Sequence, residues 1–136
     1  MTQPISPIKF TFIKEERLCS KRLLDEVFTK GKYHNQLPLK IVWIENNLYT
    51  EMPAQIVISV PKKNFKKAVH RNLLKRRIRE AYRKNKHILY EYLQQKNIHM
   101  AIGVIYSSAE LVDYFEIEEK LVLLLHKIIK EHAKRN

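Results

Sequence analysis

QIVISVPKKNFKKAVHRNLLKRRIREAYRKNK, residues 55–86, sets a short β-branched run directly before a long, strongly charged amphipathic stretch. Ile56, Val57, Ile58 and Val60 favour a pleated, half-buried strand over 55–60. Pro61 stops it, because it brings no N–H to a ladder. Placed on a helical wheel at about 100° per residue, Leu74, Ile78, Ala81 and Tyr82 fall within one arc of roughly 100°. Arg71, Asn72, Lys75, Arg76, Arg79, Arg83 and Lys86 fall in an adjoining arc of roughly 140°. Arg77 lies nearer the far edge of the apolar stripe. The spacing therefore predicts a helix over 67–84, with one face for a sheet and one face for something else.

Between Lys62 and Lys86 lie twelve of the chain's 26 Lys and Arg residues and a single acid, Glu80. Elsewhere fourteen basic residues face thirteen acidic ones, so the net charge of +12 is almost wholly local. Acids at i,i+4 spacing would have paired these cations, and only Glu80 is placed to do so. A charge run this one-sided needs an external polyanion. Arg offers a planar fork suited to phosphate, and Asn72 adds donors and acceptors for sugar or base edges. A membrane surface fits less well, because the helix's apolar stripe is needed by the sheet.

Outward from this stretch the elements are short. Leu18, Leu23, Leu24, Val27 and Phe28 recur at helical spacing before Gly31, which predicts a first helix over 18–30. Residues 39–44 read as a strand, and Asn46-Asn47 as a turn. A helical continuation runs through Ile88, Leu89, Tyr92 and Leu93. Residues 99–106 form an apolar third strand, and 116–133 a last helix striped by Ile117, Leu121, Leu124, Leu125, Ile128 and Ile129. Phe10-Thr11-Phe12 is expected as a short extended piece, and 1–9 as a loose arm. The order α-β-β-α-β-α implies an α/β two-layer sandwich, a small sheet with helices packed on it. At 136 residues one domain over 1–136 is expected.

No stretch approaches the roughly 20 apolar residues of a membrane span, and the N-terminus reads as no secretory signal. Cys19 is the single cysteine and is expected to be an incidental thiol in a reducing cytoplasm. The six His residues show no metal-ligand spacing. Glu116, Glu118 and Glu119 open a helix, where the macrodipole favours acids. No protein-borne catalytic set is visible, so no catalytic residue is expected. Charge alone leaves open a structural RNA-binding protein, such as a ribosomal protein or assembly factor, and a DNA binder with its helix in a major groove.

The residues go further. Ile58-Ser59-Val60-Pro61-Lys62-Lys63, then Ala68-Val69-His70-Arg71-Asn72, then Lys75-Arg76 with Ile78-Arg79-Glu80-Ala81-Tyr82-Arg83, resemble in order the protein component of bacterial ribonuclease P. Arg17-Leu18 and Val27-Phe28 before Gly31 also look like that family's start, so the resemblance covers roughly 14–106. Two departures stand out. Leu73 replaces the motif's second Arg, and Asn64-Phe65-Lys66-Lys67 replaces a connector that usually holds Gly. Phe65 reads as a core plug or as an exposed stacking platform.

The resemblance implies a mainly antiparallel sheet with a left-handed β-α-β crossover through the basic helix, where generic rules give the right hand. It implies a cytoplasmic subunit of a ribonucleoprotein endonuclease that removes the 5′ leader of precursor tRNA. Hydrolysis would be carried by the catalytic RNA with Mg²⁺, held mainly by that RNA. Partners would be the catalytic RNA and precursor tRNA, with no membrane and no DNA. Carried onto this sequence, the RNA-binding set is Lys62, Lys63, Lys67, Arg71, Asn72, Lys75, Arg76, Arg79 and Arg83. The leader-cleft candidates are Leu24, Phe28, Tyr33 and Trp43, with Lys62 at the same groove. Leu24 stands where the family often has Phe.

Overall fold

The protein is described by a computed structural model covering residues 10–46 and 51–135. Its elements are a 3-10 turn Lys14–Glu16, α1 Lys21–Lys30, β1 Lys32–Gln36, β2 Leu39–Glu45, β3 Ala54–Ser59, α2 Ala68–Asn85, α3 His87–Lys96, β4 Met100–Tyr106 and α4 Tyr114–Arg135. The four strands form one sheet in the order β1-β2-β4-β3. β1 pairs antiparallel with β2, and β2 antiparallel with β4. β3 lies parallel to β4, joined to it through α2 and α3. The mainly antiparallel sheet and the β-α-β unit through the basic helix are those expected.

Alternation along the strands divides the core. Leu39, Ile41 and Trp43 of β2, Ala54 and Ile56 of β3, and Ile102 and Val104 of β4 face a layer made by α2, α3 and α4. Val42 and Ala101 face the other way, onto Leu18 and Val27, with Leu23, Leu24 and Phe28 packed around them. The second layer is thus three helices on one face, while α1 covers part of the opposite face. α4 packs along α2 and α3 and over β1 and β2.

Local chemistry sets the boundaries. Ser20 caps α1 by accepting from the Leu23 amide. Gly31 ends it, since a Cβ there would stand 2.2 Å from the Val27 carbonyl oxygen and 2.5 Å from Val42 Cγ2. The Asp113 carboxylate accepts from the Glu116 amide at the start of α4. Tyr114 there has its hydroxyl pKa pushed up to about 12 by burial and by its hydrogen bond to Glu118.

Three sequence expectations change. β1 was not expected, because Lys32-Tyr33-His34-Asn35-Gln36 has no apolar run; backbone pairing with β2 makes it a strand. The continuation after the basic helix is a separate helix, broken at Lys86. There the Asn85 side-chain amide donates to the Ala81 carbonyl, competing with the helical ladder. Phe10-Thr11-Phe12 is not a strand, although Arg17 just beyond it bridges to Ile56 at the open edge of β3. Residues 1–9 and Asn47 lie outside the described residues.

Trp43 is buried, and its indole N–H donates to Nε2 of His34 at 3.1 Å. That bond needs an unprotonated Nε2, and burial holds the His34 pKa below 6.5. With a folded pKa below the unfolded one, the stabilising contribution is complete above pH 6.5 and is lost as pH falls toward the folded value. Emission of Trp43, the single tryptophan, is expected to change with a midpoint below 6.5. His34→Gln should abolish that transition; a transition unchanged in the variant would refute the assignment.

Candidate nucleic-acid interface

Packing fixes which way the basic helix faces. Leu74, Ile78, Ala81 and Tyr82 of α2 are fully buried in the helix-layer core. Burying the Leu and Ile side chains contributes roughly 1.5–3 kcal/mol each. The charged arc is thereby turned to solvent. Lys62, Lys63, Lys67, Asn72, Arg76 and Arg79 are exposed and Lys75 is half-buried. None of these seven side chains makes a hydrogen bond or ion pair to another described residue.

Other cations of the stretch, Arg71, Arg77 and Arg83, reach back into the fold. Arg71 Nη1 donates to the carbonyls of Phe65 and Lys66, both at 2.8 Å, and so clamps the connector to the helix start. Phe65 is buried against the Tyr106 ring, at 5.6 Å between centroids, and is the core plug. Arg77 Nη1 donates to the Val112 carbonyl and ties α2 to the segment before α4. Arg83 forms a two-point pair with Glu80 and donates its remaining Nη1 to the Phe10 carbonyl at 2.6 Å. That pair lowers the Glu80 pKa.

Two expected members of the arc therefore differ from the wheel. Arg83 braces the N-terminal segment instead of standing free. Lys86 is buried, pairs with the fully buried Glu16 and donates to the Thr11 carbonyl. Glu16 also accepts from the Tyr90 hydroxyl at 2.8 Å and the Ile13 amide at 2.8 Å. Tyr82 and Tyr90 extend the network, and burial raises both phenol pKa values. A wheel counts directions on one helix and cannot show a segment far away in sequence folding across it.

On the opposite face of the sheet, the tip of the Phe28 ring sits over Gly103. A Cβ on Gly103 would stand 3.0 Å from Phe28 Cζ and 2.9 Å from Val42 Cγ1. The Tyr33 hydroxyl donates to the Phe28 carbonyl at 2.8 Å, and Lys40 Nζ stands 5.8 Å from the centre of the Tyr33 ring. Leu24 packs half-buried beside them. Leu24, Phe28 and Tyr33 are brought together as expected. Trp43 is not: strand alternation turns it to the other face, into the core beneath α4. Lys40 was missed by sequence, and strand parity with Val42 was the signal that placed it on this face.

A concavity of about 370 Å³ at the far end of the sheet carries both signs of charge, from Glu26, Lys30, Lys32, Glu45 and Arg135 around His132. His132 there links Glu45 to Tyr92. Among the described residues, no three His, Cys, Asp or Glu side chains are grouped to hold a metal ion, and no helix is long and apolar enough to cross a membrane.

A free cationic ridge on a crossover helix, backed by an aromatic sheet face, can now be set beside known proteins. The family model described as ribonuclease P matches residues 12–129. The chain belongs to the ribonuclease P protein family. It is 37% identical over 123 residues to the ribonuclease P protein component of Porphyromonas gingivalis, covering 90% of each chain. It is 32% identical over 125 residues to that of Chlorobium phaeobacteroides, covering 85% of this chain and 86% of the relative. The solved ribonuclease P protein of Thermotoga maritima superposes with a TM-score of 0.65 at 29% identity, over 82% of this chain and 96% of that one.

Within this ribonuclease P protein the two classes of cation separate by experiment. Lys86→Met leaves the Glu16 carboxylate buried without its partner and is expected to lower stability by about 3–5 kcal/mol. Arg76→Ala should change stability by less than about 0.5 kcal/mol. Denaturant midpoints of the two variants check this; equal losses would contradict the assignment. Gly103→Ala is expected to cost about 1–3 kcal/mol by overpacking against Phe28 and Val42. The same unfolding measurement tests it, and an unchanged midpoint would show that the ring is not seated there.

Proposed function

We propose that this chain is the protein subunit of a cytoplasmic ribonuclease P, bound to the catalytic RNA and assisting removal of the 5′ leader from precursor tRNA. The observation that carries the proposal is the set of exposed or half-buried cations with no side-chain partner among the described residues, Lys62, Lys63 and Lys67 before the crossover helix and Lys75, Arg76 and Arg79 on it, at the family's motif positions. Two folded RNA backbones brought together repel each other. Fixed Lys and Arg side chains between them screen that repulsion and replace condensed counterions. Arg76 and Arg79 supply planar donors to phosphate; Asn72 supplies one to sugar or a base edge.

The leader, a single strand, fits the opposite sheet face. Phe28 and Tyr33 offer aromatic surfaces, with Lys40 beside them for the backbone. Leader and catalytic RNA thus use different sides of one sheet. Mg²⁺ would be held by RNA phosphates and supply the Lewis acidity and the activated water for hydrolysis. The side chains here contribute position and charge, with no proton transfer assigned to any of them. The ribosomal-protein and DNA-binder readings rested on charge alone, and nothing in the fold or the relatives favours them.

Purified protein mixed with the cognate catalytic RNA at low Mg²⁺ is expected to stimulate leader removal well above RNA alone. Absence of stimulation would refute the proposal. Arg79→Ala should weaken binding to the catalytic RNA and reduce the log–log salt slope by about 0.7–0.9, one phosphate contact. Phe28→Ala should weaken binding of leader-bearing substrate more than of mature tRNA.

A further inference from the structure

The charged arc of α2 does not run its full length in cations. At its C-terminal end the N-terminal segment crosses it, held by Arg83 on the Phe10 carbonyl and by Lys86 on the Thr11 carbonyl. On that segment Phe10 is 54% exposed. Its ring is seated edge-on against His87, with centroids 5.6 Å apart and planes at 70°. Arg83 is itself fixed by its two-point pair with Glu80. The aromatic ring is therefore positioned beforehand, at low entropic cost to a ligand.

Its surroundings define the ligand. Arg79, one helical turn before Arg83, is exposed and unpaired, and Arg76 and Asn72 continue the same face. The nearby acids are neutralised: Glu80 by Arg83 and Lys84, and Glu16 by Lys86 in the interior. A flat apolar face at the end of a row of exposed cations suits a nucleobase whose phosphates track that row. A paired base keeps its face inside the helix stack, so the base must be unpaired.

We infer that Phe10 is a stacking platform for an unpaired base of the catalytic RNA, extending the α2 interface onto the N-terminal segment. This rests on the ribonuclease P reading above. It is separate from the leader-binding face, which lies across the sheet at Phe28.

The test is equilibrium binding of the full-length protein to its cognate catalytic RNA at several salt concentrations. Phe10→Ala and Phe10→Leu are expected to bind roughly five- to tenfold more weakly, near the low end for a base–aromatic stack. Their salt slope should stay unchanged, since no ion contact is lost. Phe10→Trp should restore affinity. Leu keeps the packing on His87 but has no π face, so it carries the test if Phe10→Ala fails to fold. Wild-type affinity in Phe10→Leu, with Arg79→Ala still weakened, would overturn this inference and leave the ribonuclease P reading standing. Failure of Phe10→Trp to restore binding would also overturn it. A wild-type protein with no preference for the catalytic RNA over an unrelated structured RNA would overturn both.

Discussion

Two neighbouring parallel strands cannot be joined by a tight turn; the chain must leave the sheet and return. β3 and β4 impose that constraint here, and α2 with α3 is the return path. Much else depends on it. The crossover helix must bury Leu74, Ile78, Ala81 and Tyr82 against the sheet, so its charged arc has no other direction than outward. Because β4 sits centrally between β2 and β3, the same connection anchors the middle of the sheet. The surface proposed to meet RNA and the core that holds the fold are two sides of one element.

The cations of that element do two kinds of work. Arg71, Arg77, Arg83 and Lys86 reach back to carbonyls or carboxylates of the connector, the segment before α4 and the N-terminal segment. Arg77, Arg83 and Lys86 join pieces distant in sequence, while Arg71 holds the adjoining connector. The side chains of Lys75, Arg76 and Arg79 reach no partner among the described residues. Arg71 Nη1 holds two carbonyls, and its other nitrogens make no hydrogen bond among the described residues. A substitution in this stretch thus changes stability or RNA affinity according to where the side chain goes, not according to its charge.

Much of this was legible in the sequence. The apolar periodicity of Leu74, Ile78, Ala81 and Tyr82 gave the core face of α2, and the β-branched run before Pro61 gave β3. These signals are local, and the structure keeps them. What stayed hidden is non-local. β1 exists through hydrogen bonds to β2, with no hydrophobic pattern of its own. The burial of Lys86 depends on Glu16, seventy positions away. Trp43 could be assigned to either face until the strand register was known, and one step of register exchanges the faces. The platform at Phe10 was invisible because exposure of an aromatic follows from the route of the chain around it.

The start of α2 shows function set against local stability. Its N-cap, Lys67, makes no side-chain cap, and its first turn has no acid. Lys62, Lys63, Lys66 and Lys67 crowd the end where the helix dipole is already positive. Every one of these choices opposes the isolated helix, and the unpaired cations along its outer arc, about 5–6 Å apart at i,i+4, lie well within the roughly 8 Å screening length of physiological salt. The fold tolerates this because the apolar stripe is fully buried and Arg71 holds the connector in place. Polyphosphate on that face, as proposed, would remove the repulsion. A ligand that binds only the folded state stabilises it in proportion to the logarithm of its concentration over Kd. The unfavourable charge arrangement in the free protein is therefore part of what favours the bound one.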